Sequence, residues 1–349
     1  MKHPSGRSLV FSRLCLGLLV SSASLLGADG PYHLLKEIPV GGVGGWDYLS
    51  IDEAARRLYV SHGAKVIVID LDQEKVAGEI LDTPGVHGIA LAPARQRGYT
   101  SNGQESKSSI VDLKTLKTLA KVETGANPDA ILYEPVRDEV YTFNGRGQSA
   151  TVFGGTSGKV VATVPLSGKP EFAAADPAVG RIYCNIEDKN EVVAIDTTTH
   201  AVVNSWPIAP GEEASGMAID LAHHRLFIGC HNKMTAMLDS RTGKVIATVP
   251  IGQGVDANAF DPGTQYVFSS CGDGTVTVAR EEAPDTLTAV QTLKTERGAR
   301  TMALDTTTHK IYLASVKFEA AAEPAAGASR ERPKSVPGSF KIMVYGLSK

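Results

Sequence analysis

Seven polar side chains recur in this sequence at one position of a repeating pattern, at intervals of 40 to 44 residues. Each stands five residues before the end of an apolar, strand-like run, where alternation would otherwise put a large apolar residue. They are Asp47, His87, Asp129, Glu171, Ser215, Asp256 and Arg300. Equivalent positions of a repeat come together when the repeats pack in a circle, so we expect these side chains to form one polar ring.

One side of this ring is acidic and contains a histidine. His87, Asp129 and Glu171 are consecutive members of the set. Carboxylates beside an imidazole can hold a divalent metal ion or share a proton. We therefore predict a cation or metal site at these three residues, with no other cofactor. A hydrated rim whose charges merely suit water is the alternative.

The opposite side of the ring carries its one fixed positive charge. Arg300 should have Asp256 on one side and, through closure of the circle, Asp47 on the other. We expect these three residues to form an ion-pair trio. Ser215 completes the ring between the two sides.

Amide and imidazole side chains follow the second strand of most repeats, in segments that should open on the same face. This second set of candidate ligand-binding residues comprises His62, Asn102, Asn144, Asn185, His231 and Asn232. Trp46 stands beside the ring in the glycine-rich segment GGVGGWD. A cup with a polar floor and such walls suits a small polar ligand. Asparagine is also common in left-handed turns, which is the structural alternative.

The elements that must position these residues are short β-strands. The clearest repeat runs from Ala214 to Pro250 and contains four strand-like runs separated by turn residues. Its first run ends in an anchor residue, and an aromatic residue follows seven positions later. The anchors are Asp52, Ala92, Glu134, Asp176, Asp220, Asp261 and Asp305. The aromatic residues are Tyr59, Tyr99, Tyr141, Tyr183, Phe227, Phe268 and Tyr312. This period predicts an all-β, seven-bladed β-propeller with four antiparallel strands per blade.

The ends of the repeat array predict how the circle closes. Residues 33–40 form a lone strand before the first repeat, and the last repeat lacks a fourth strand. We expect the N-terminal strand to supply it, which leaves no open edge. The propeller should occupy residues 29–349, with an Ala/Pro-rich loop insertion in the seventh blade at about 316–337.

Residues 1–28 have the composition of a secretory signal peptide. Lys2, Arg7 and Arg13 precede an apolar run that is too short to span a bilayer, and small residues follow it. We predict a periplasmic or secreted protein with no transmembrane segment in the mature chain. Loss of these basic residues makes the chain more acidic than its formal charge of −3. An acidic chain argues against nucleic acid as a partner.

Three cysteines remain after the predicted signal peptide. An odd number leaves at least one of Cys184, Cys230 and Cys271 unpaired within the chain. We expect buried, unpaired thiols, because equivalent positions in neighbouring blades are too far apart for a disulfide. Copper binding by Cys230, His231 and Cys271 is the alternative, although this spacing matches no standard site.

The strand motifs carry a family resemblance. The second strands read RLYVSHG, EVYTFNG, RIYCNIE and KIYLAS, and the third and fourth read VIVIDLD, VVAIDTTT and AMLDSRTGKVIATVPIG. Over residues 33–349 the chain resembles the YncE-like, or YVTN-repeat, family of seven-bladed propellers. The resemblance implies an exported protein with a binding, surface or cofactor-associated role. It carries no shared catalytic set onto these positions.

Two functions from different classes follow. The first is an exported, non-enzymatic propeller, monomeric, that binds a small polar ligand, a cation or a protein partner at the channel mouth. The second is a metal-dependent hydrolase of the lactonase type, with His87, Asp129, Glu171 and Asn144 as metal ligands. A redox accessory that docks to a cofactor protein is a third, but the sequence shows no ligand set for haem or quinone. Common hydrolase, zinc-protease and nucleotide-binding motifs do not occur in the sequence.

Overall fold

The computed structural model describes residues 1, 30–42, 44–319 and 334–348. These residues form seven four-stranded antiparallel sheets, each with consecutive strands as neighbours except where the chain termini meet. The predicted seven-bladed propeller is confirmed. Helical structure in the described residues is confined to two single 3₁₀ turns, Pro93–Arg95 and Glu187–Lys189.

Each blade contributes one innermost strand to a central channel. The innermost strands are β2 (Trp46–Asp52), β6 (Val86–Ala92), β10 (Pro128–Glu134), β14 (Pro170–Asp176), β18 (Ala214–Asp220), β22 (Val255–Asp261) and β26 (Met302–Asp305). The second strands are β3 (Arg57–His62), β7 (Arg97–Asn102), β11 (Glu139–Asn144), β15 (Arg181–Ile186), β19 (Arg225–Cys230), β23 (Tyr266–Cys271) and β27 (Lys310–Ser315).

The third and outer strands complete the blades. The third strands are β4 (Lys65–Asp70), β8 (Lys107–Asp112), β12 (Ser149–Gly154), β16 (Glu191–Asp196), β20 (Met234–Asp239), β24 (Thr275–Ala283) and β28 (Lys341–Leu347). The outer strands are β5 (Lys75–Ile80), β9 (Lys117–Glu123), β13 (Val160–Pro165), β17 (Ala201–Pro207), β21 (Val245–Pro250), β25 (Thr286–Lys294) and, from the N-terminus, β1 (Tyr32–Pro39).

The circle closes as the sequence predicted. Strand β1 pairs antiparallel with β28, and Ile38 lies opposite Ile342 while Leu34 lies opposite Tyr345. Tyr32 and Ile38 are almost completely buried in this junction. The seventh blade is therefore built from both ends of the described chain, and strand β28 is not left as an open edge.

The core lies between the blades and is organised by the repeating aromatic residues. All seven are at most 3% exposed. Neighbouring innermost strands approach closely where small residues face each other. A side chain at Gly216, for example, would put its Cβ 2.6 Å from the backbone nitrogen of Asn258 in the next blade. Large residues packed against small ones give the tapered fit that a ring of sheets requires.

The anchor carboxylates have structural roles in the turns that follow them. Asp305 accepts hydrogen bonds from the backbone nitrogens of Thr307 and Thr308 at 3.1 and 3.3 Å. It also accepts one from Arg56 of the first blade, at 2.7 Å. His309 contacts the Asp261 anchor of the preceding blade in the same way, at 2.7 Å. These contacts link one blade to the next at the end of the channel opposite the polar ring.

Parts of the predicted domain plan lie outside the described residues. These are residues 320–333 of the seventh-blade insertion and the predicted signal peptide, apart from residue 1. The base of the insertion is a short antiparallel bridge between Phe318 and Ser335, next to a backbone hydrogen bond from Glu319 to Lys334. Within the described ranges, no helix has the length and apolar character needed to cross a bilayer.

The three cysteines are buried and unpaired, as expected. Burial raises the pKa of both Cys230 and Cys271 to about 12, so these thiols stay protonated at neutral pH. They join no metal-ligating cluster with His231 among the described residues. The geometry therefore does not favour the copper alternative.

Candidate cation site at the channel mouth

The predicted polar ring is placed by β-bulges. In six innermost strands the pairing register breaks at the ring position, for instance between Trp46 and Leu49 and between Val86 and Ile89. The residues at these breaks are Asp47, His87, Asp129, Glu171, Ser215 and Asp256. A bulge re-aims the side chain of its extra residue. Arg300 is the exception, because β26 begins only at Met302 and has no such bulge.

Asp47, His87 and Asp129 form the tightest cluster of the ring. Nδ1 of His87 lies 2.7 Å from Oδ2 of Asp47 and 3.4 Å from Oδ1 of Asp129. One ligand atom from each residue lies within 4.8 Å of the other two, which suits a single metal ion. A side chain at Gly103 would put its Cβ 2.6 Å from Nε2 of the imidazole, so the glycine leaves room for His87.

The predicted ion-pair trio is wrong in one member. Arg300 Nε lies 3.1 Å from Asp256 Oδ2, but Asp47 makes no ion pair with Arg300 among the described residues. The imidazole of His87 is Asp47's close partner instead. Ser215 Oγ lies 3.4 Å from the other oxygen of Asp256. Asp256 therefore has a fixed cation as its partner, and Asp47 belongs to the histidine side.

Glu171 differs from its prediction, because it has a positive partner. Lys169, two residues before it, lies 3.1 Å from Glu171 Oε2 and also contacts Glu187. The ligand set predicted from the sequence, His87, Asp129 and Glu171, is thus replaced by Asp47, His87 and Asp129. The lysine was missed because it precedes the strand and belongs to no recurring position.

Burial makes the mouth carboxylates hold protons more strongly. It raises the pKa of Asp129 to about 6, with His87 opposing the shift. Burial and then the Asp129 charge raise the pKa of Glu171 to about 8, with Lys169 opposing. The pKa values of Asp47 and Asp256 are also raised by burial. Buried carboxylates without enough positive charge respond in this way, and a bound cation would reverse the shifts.

The imidazole of His87 responds to the same field. Burial works against its charged form, but the hydrogen bond to Asp47 and the nearby carboxylates of Asp129 and Glu171 raise its pKa. A proton on His87 therefore supplies part of the positive charge that the neighbouring carboxylates lack. A metal ion bound at Nδ1 would have to displace that proton.

Two aromatic residues that the sequence analysis did not select close the channel beneath the ring. Tyr48 and Phe172 follow Asp47 and Glu171 in their strands, and their rings meet edge to face with centroids 5.3 Å apart. The hydroxyl of Tyr48 lowers the pKa of Asp129. The sequence does distinguish these two residues, because the other five repeats have only Gly, Ala or Thr at the equivalent position.

A space of about 380 Å³ in the channel is lined by residues of the innermost strands, including Leu49, Ile89, Ile131 and Met302. None of the described residues that line this space carries a charged side chain. The charged side chains of this part of the channel are therefore those of the mouth.

The predicted cup walls are mostly absent. Asn102, Asn144 and Asn185 end or lie within second strands and are fully buried. Asn102 and Asn144 bond inside their own blades; Asn144, for example, donates to the hydroxyls of Ser149 and Thr151 at 3.1 and 3.0 Å. Asn185 instead donates to the next blade, to the carbonyl of the ring residue Ser215 at 2.6 Å. None of the three asparagines has the positive φ of a left-handed turn.

The remaining wall residues divide into two groups. His62 is buried, and Trp46 is half-buried; both pack against Phe340, with ring centroids 4.4 and 5.6 Å away. Burial, and next the Lys65 charge, lower the pKa of His62, which keeps it neutral. His231 lies by the mouth, where Nε2 is 3.2 Å from the carbonyl of Val255 and its charge lowers the pKa of Asp256.

Asn232 caps a loop at the surface. Its amide donates to the carbonyl of Pro210 at 2.8 Å, and its side-chain oxygen accepts from the backbone of Glu212 at 3.2 Å. It makes no contact with the ring among the described residues. Of the second predicted set, His231 and Asn185 therefore lie beside the ring, each through a backbone carbonyl of an innermost strand.

Comparison with known proteins supports the fold alone. No protein-family model and no curated protein matches this chain. Among solved structures, the chain is similar to one of Kuenenia stuttgartiensis hydrazine synthase, with a TM-score of 0.68 and 15% sequence identity. The similarity covers 84% of this chain and 95% of that one. At this identity it shows a shared seven-bladed architecture and no shared activity.

Proposed function

We propose that this chain is an exported, non-enzymatic propeller that binds a divalent cation at its channel mouth through Asp47, His87 and Asp129. The observation that carries the proposal is the convergence of one oxygen or nitrogen atom from each of these residues within 4.8 Å. Two carboxylates and an imidazole suit a first-row metal ion such as Zn²⁺ or Mn²⁺ better than Ca²⁺, which prefers oxygen ligands.

The charge balance of the mouth supports the same proposal. Asp47, Asp129, Glu171 and Asp256 face one another there, and their pKa values are all raised by burial. Lys169 and Arg300 neutralise only Glu171 and Asp256. The remaining two carboxylates share His87. A small cation, including an ammonium group of a ligand or partner, would supply the missing charge.

Export is part of the proposal and rests on the sequence of residues 1–28, with their basic start and short apolar run. The strand motifs that resemble YncE-like propellers support the same placement. N-terminal sequencing of the protein recovered from the periplasm or the medium would test it. An intact Met1 on the recovered protein would contradict cleavage.

The binding test is a calorimetric titration of the chelator-treated chain with Zn²⁺ and Mn²⁺. Asp129→Asn should abolish binding at the mouth, because it removes one ligand charge from the cluster. Glu171→Gln is the matched control, since Lys169 already holds that carboxylate, and it should retain binding. Equal binding by the wild type and Asp129→Asn would show that the mouth binds no cation and that the ring is a hydrated rim.

Metal-dependent hydrolysis is the second candidate, favoured by the same cluster. Glu171 lies at the mouth, and its pKa, raised to about 8, suits a general acid. Asn144, the fourth predicted ligand, is fully buried within its blade and does not reach the cluster. Lactone hydrolysis by the Zn²⁺- or Mn²⁺-loaded chain, lost in Asp129→Asn, would favour this candidate over simple binding.

A further inference from the structure

A buried carboxylate stands out at the end of the channel opposite the mouth, between the fifth and sixth blades. The backbone nitrogen of Glu281 donates to the carbonyl of Gln265 at 2.9 Å. The same backbone hydrogen bond occurs in each of the first five blades and identifies the residue equivalent to Glu281 in each. Those residues are Leu71, Leu113, Gly155, Thr197 and Ser240. All five are uncharged, and Leu71 packs in one apolar cluster with Tyr312 of the preceding blade. The sixth blade alone among these puts an ionisable group there.

Glu281 meets two ligand-type residues of the preceding blade. His223 Nδ1 lies 3.3 Å from Glu281 Oε1 and 2.6 Å from Asp220 Oδ2. The Asp220 and Glu281 side chains are 3% and 0% exposed, while His223 is 38% exposed. One ligand atom from each of the three lies within 4.8 Å of the others.

The polar atoms of this cluster lie within ion-pair distance of one another, but these contacts do not have hydrogen-bond geometry. In the part of the chain that the structure describes, neither oxygen of Glu281 has a hydrogen bond, nor does Asp220 Oδ2 or His223 Nδ1. Burial, and next the Asp220 charge, raise the pKa of Glu281 to about 7. A buried carboxylate left without partners costs free energy unless something else occupies its lone pairs.

Arg225 is the nearby fixed cation, but its Nε and Nη1 donors bond elsewhere. Its Nη1 bonds Asp239 at 3.0 Å and the carbonyls of His223 and His224 at 2.8 and 3.1 Å, and its Nε bonds Pro284. It moderates the field at Glu281 without contacting the carboxylate. The cluster therefore keeps two acceptor-only groups and an imidazole that converge on one point.

We propose that Asp220, His223 and Glu281 form a second metal site, which binds a divalent first-row ion such as Zn²⁺ between the fifth and sixth blades. One imidazole and two carboxylates match the ligands of that class, and the exposed edge of His223 gives the ion a path from solvent. The site is independent of the mouth, since Asp220 stands five residues, roughly 16 Å, along β18 from Ser215 of the ring. An ion here would fasten neighbouring blades.

The test uses the full chain carrying Asp129→Asn, which removes one ligand of the proposed mouth site and so prevents metal binding there. After chelator treatment, Zn²⁺ loading and gel filtration, elemental analysis should find one Zn²⁺ per chain. Adding Glu281→Gln or His223→Gln should lower the Zn²⁺ affinity at least about tenfold. Zn²⁺ should also raise the melting temperature of the Asp129→Asn chain and leave that of the chain carrying both Asp129→Asn and Glu281→Gln unchanged.

His309→Gln is the matched control. Like His223, His309 contacts an anchor aspartate: its Nδ1 lies 2.7 Å from Asp261 of the preceding blade, in hydrogen-bond geometry. Among the described residues this pair belongs to no three-residue metal-ligating cluster. The His309→Gln chain should retain Zn²⁺. Absence of Zn²⁺ from the Asp129→Asn chain, or equal Zn²⁺ binding after His223→Gln, would overturn the proposal. Because His223 is partly exposed, its variant keeps the test valid if Glu281→Gln fails to fold.

The two metal proposals fail separately. If the mouth binds no ion, the wild type still takes up one Zn²⁺ and loses it with Glu281→Gln. If the second site is wrong, the wild type loses all its Zn²⁺ with Asp129→Asn alone.

Discussion

Tyr48 and Phe172 meet edge to face across the central channel, with ring centroids 5.3 Å apart and planes at 80°. They come from the first and fourth blades, and each directly follows an acidic residue of the mouth. The pair gives the polar ring a floor and joins opposite sides of the propeller. The hydroxyl of Tyr48 also lowers the pKa of Asp129.

Tyr48→Phe should therefore raise the pKa of Asp129 further above about 6, because the ring stays and the hydroxyl that favours the charged carboxylate is lost. NMR titration of the labelled Asp129 carboxyl would measure it. Tyr48→Ala should cost roughly 3 kcal/mol of unfolding free energy by leaving a cavity in the channel. An unchanged titration in Tyr48→Phe would show that the hydroxyl does not contact Asp129.

The raised pKa of Glu171 predicts a particular pH dependence of stability. The folded chain keeps this proton up to about pH 8, whereas the unfolded chain releases it near 4.5. The folded state thus binds more protons in that window, so its contribution to stability falls as the pH rises from about 4.5 to 8. Glu171→Gln should flatten the fall, as measured by denaturant titrations across this range.

Glu296 is the control of opposite sign. Burial opposes its charge, but Lys341 at 2.7 Å and Ser315 at 2.6 Å lower its pKa. Its contribution is present above its unfolded pKa and is lost as the pH falls. Glu296→Gln should therefore destabilise the chain most at neutral pH. Parallel pH profiles for the two variants would contradict both assignments.

The contact between Arg56 and Asp305 should matter to the closure of the circle. Asp305 has a fully buried side chain and receives the guanidinium at 2.7 Å from the neighbouring blade. Arg56→Ala leaves that carboxylate short of a charged partner, and we expect a loss of about 2 kcal/mol in chemical unfolding. The exposed pair of Lys107 and Glu123 is the comparison, and Glu123→Ala should not change stability measurably.

The pairing of β1 with β28 should be essential to stability. Removing residues 30–39 exposes the β28 edge and deletes the buried Tyr32 and Ile38. Loss of two such side chains costs at least roughly 5 kcal/mol. In a chain of this size that lowers the melting temperature by at least about 10 °C. A truncated chain that melts like the full chain would refute the role given to this strand.

The sequence predicted the fold well because the repeat encodes packing. An aromatic residue such as Phe227 recurs at one register and is buried in every copy. The missing fourth strand of the last repeat likewise predicted the closure that β1 makes with β28. These features depend on spacing along the chain, which the sequence displays directly.

The candidate site was predicted less well, because its partners depend on side-chain reach across the ring. Alternation indicated the ring but not the bulges that aim it. Asp47 contacts His87 and not Arg300. Arg300 lies before the shorter strand β26, and its ion pair among the described residues is with Asp256. Lys169 lies outside the repeating register, so its contact with Glu171 had no signal in the spacing. Asn144 was assigned to an open loop, whereas it ends a strand and bonds inward.

The central claim is that a divalent cation binds at the channel mouth, and a crystal soaked in Mn²⁺ tests it most directly. Data collected where manganese scatters anomalously should show a peak between Asp47 Oδ2, His87 Nδ1 and Asp129 Oδ1, and no such peak in Asp129→Asn. A mouth filled only with water in the wild-type crystal, at Mn²⁺ concentrations that saturate calorimetric binding, would contradict the claim.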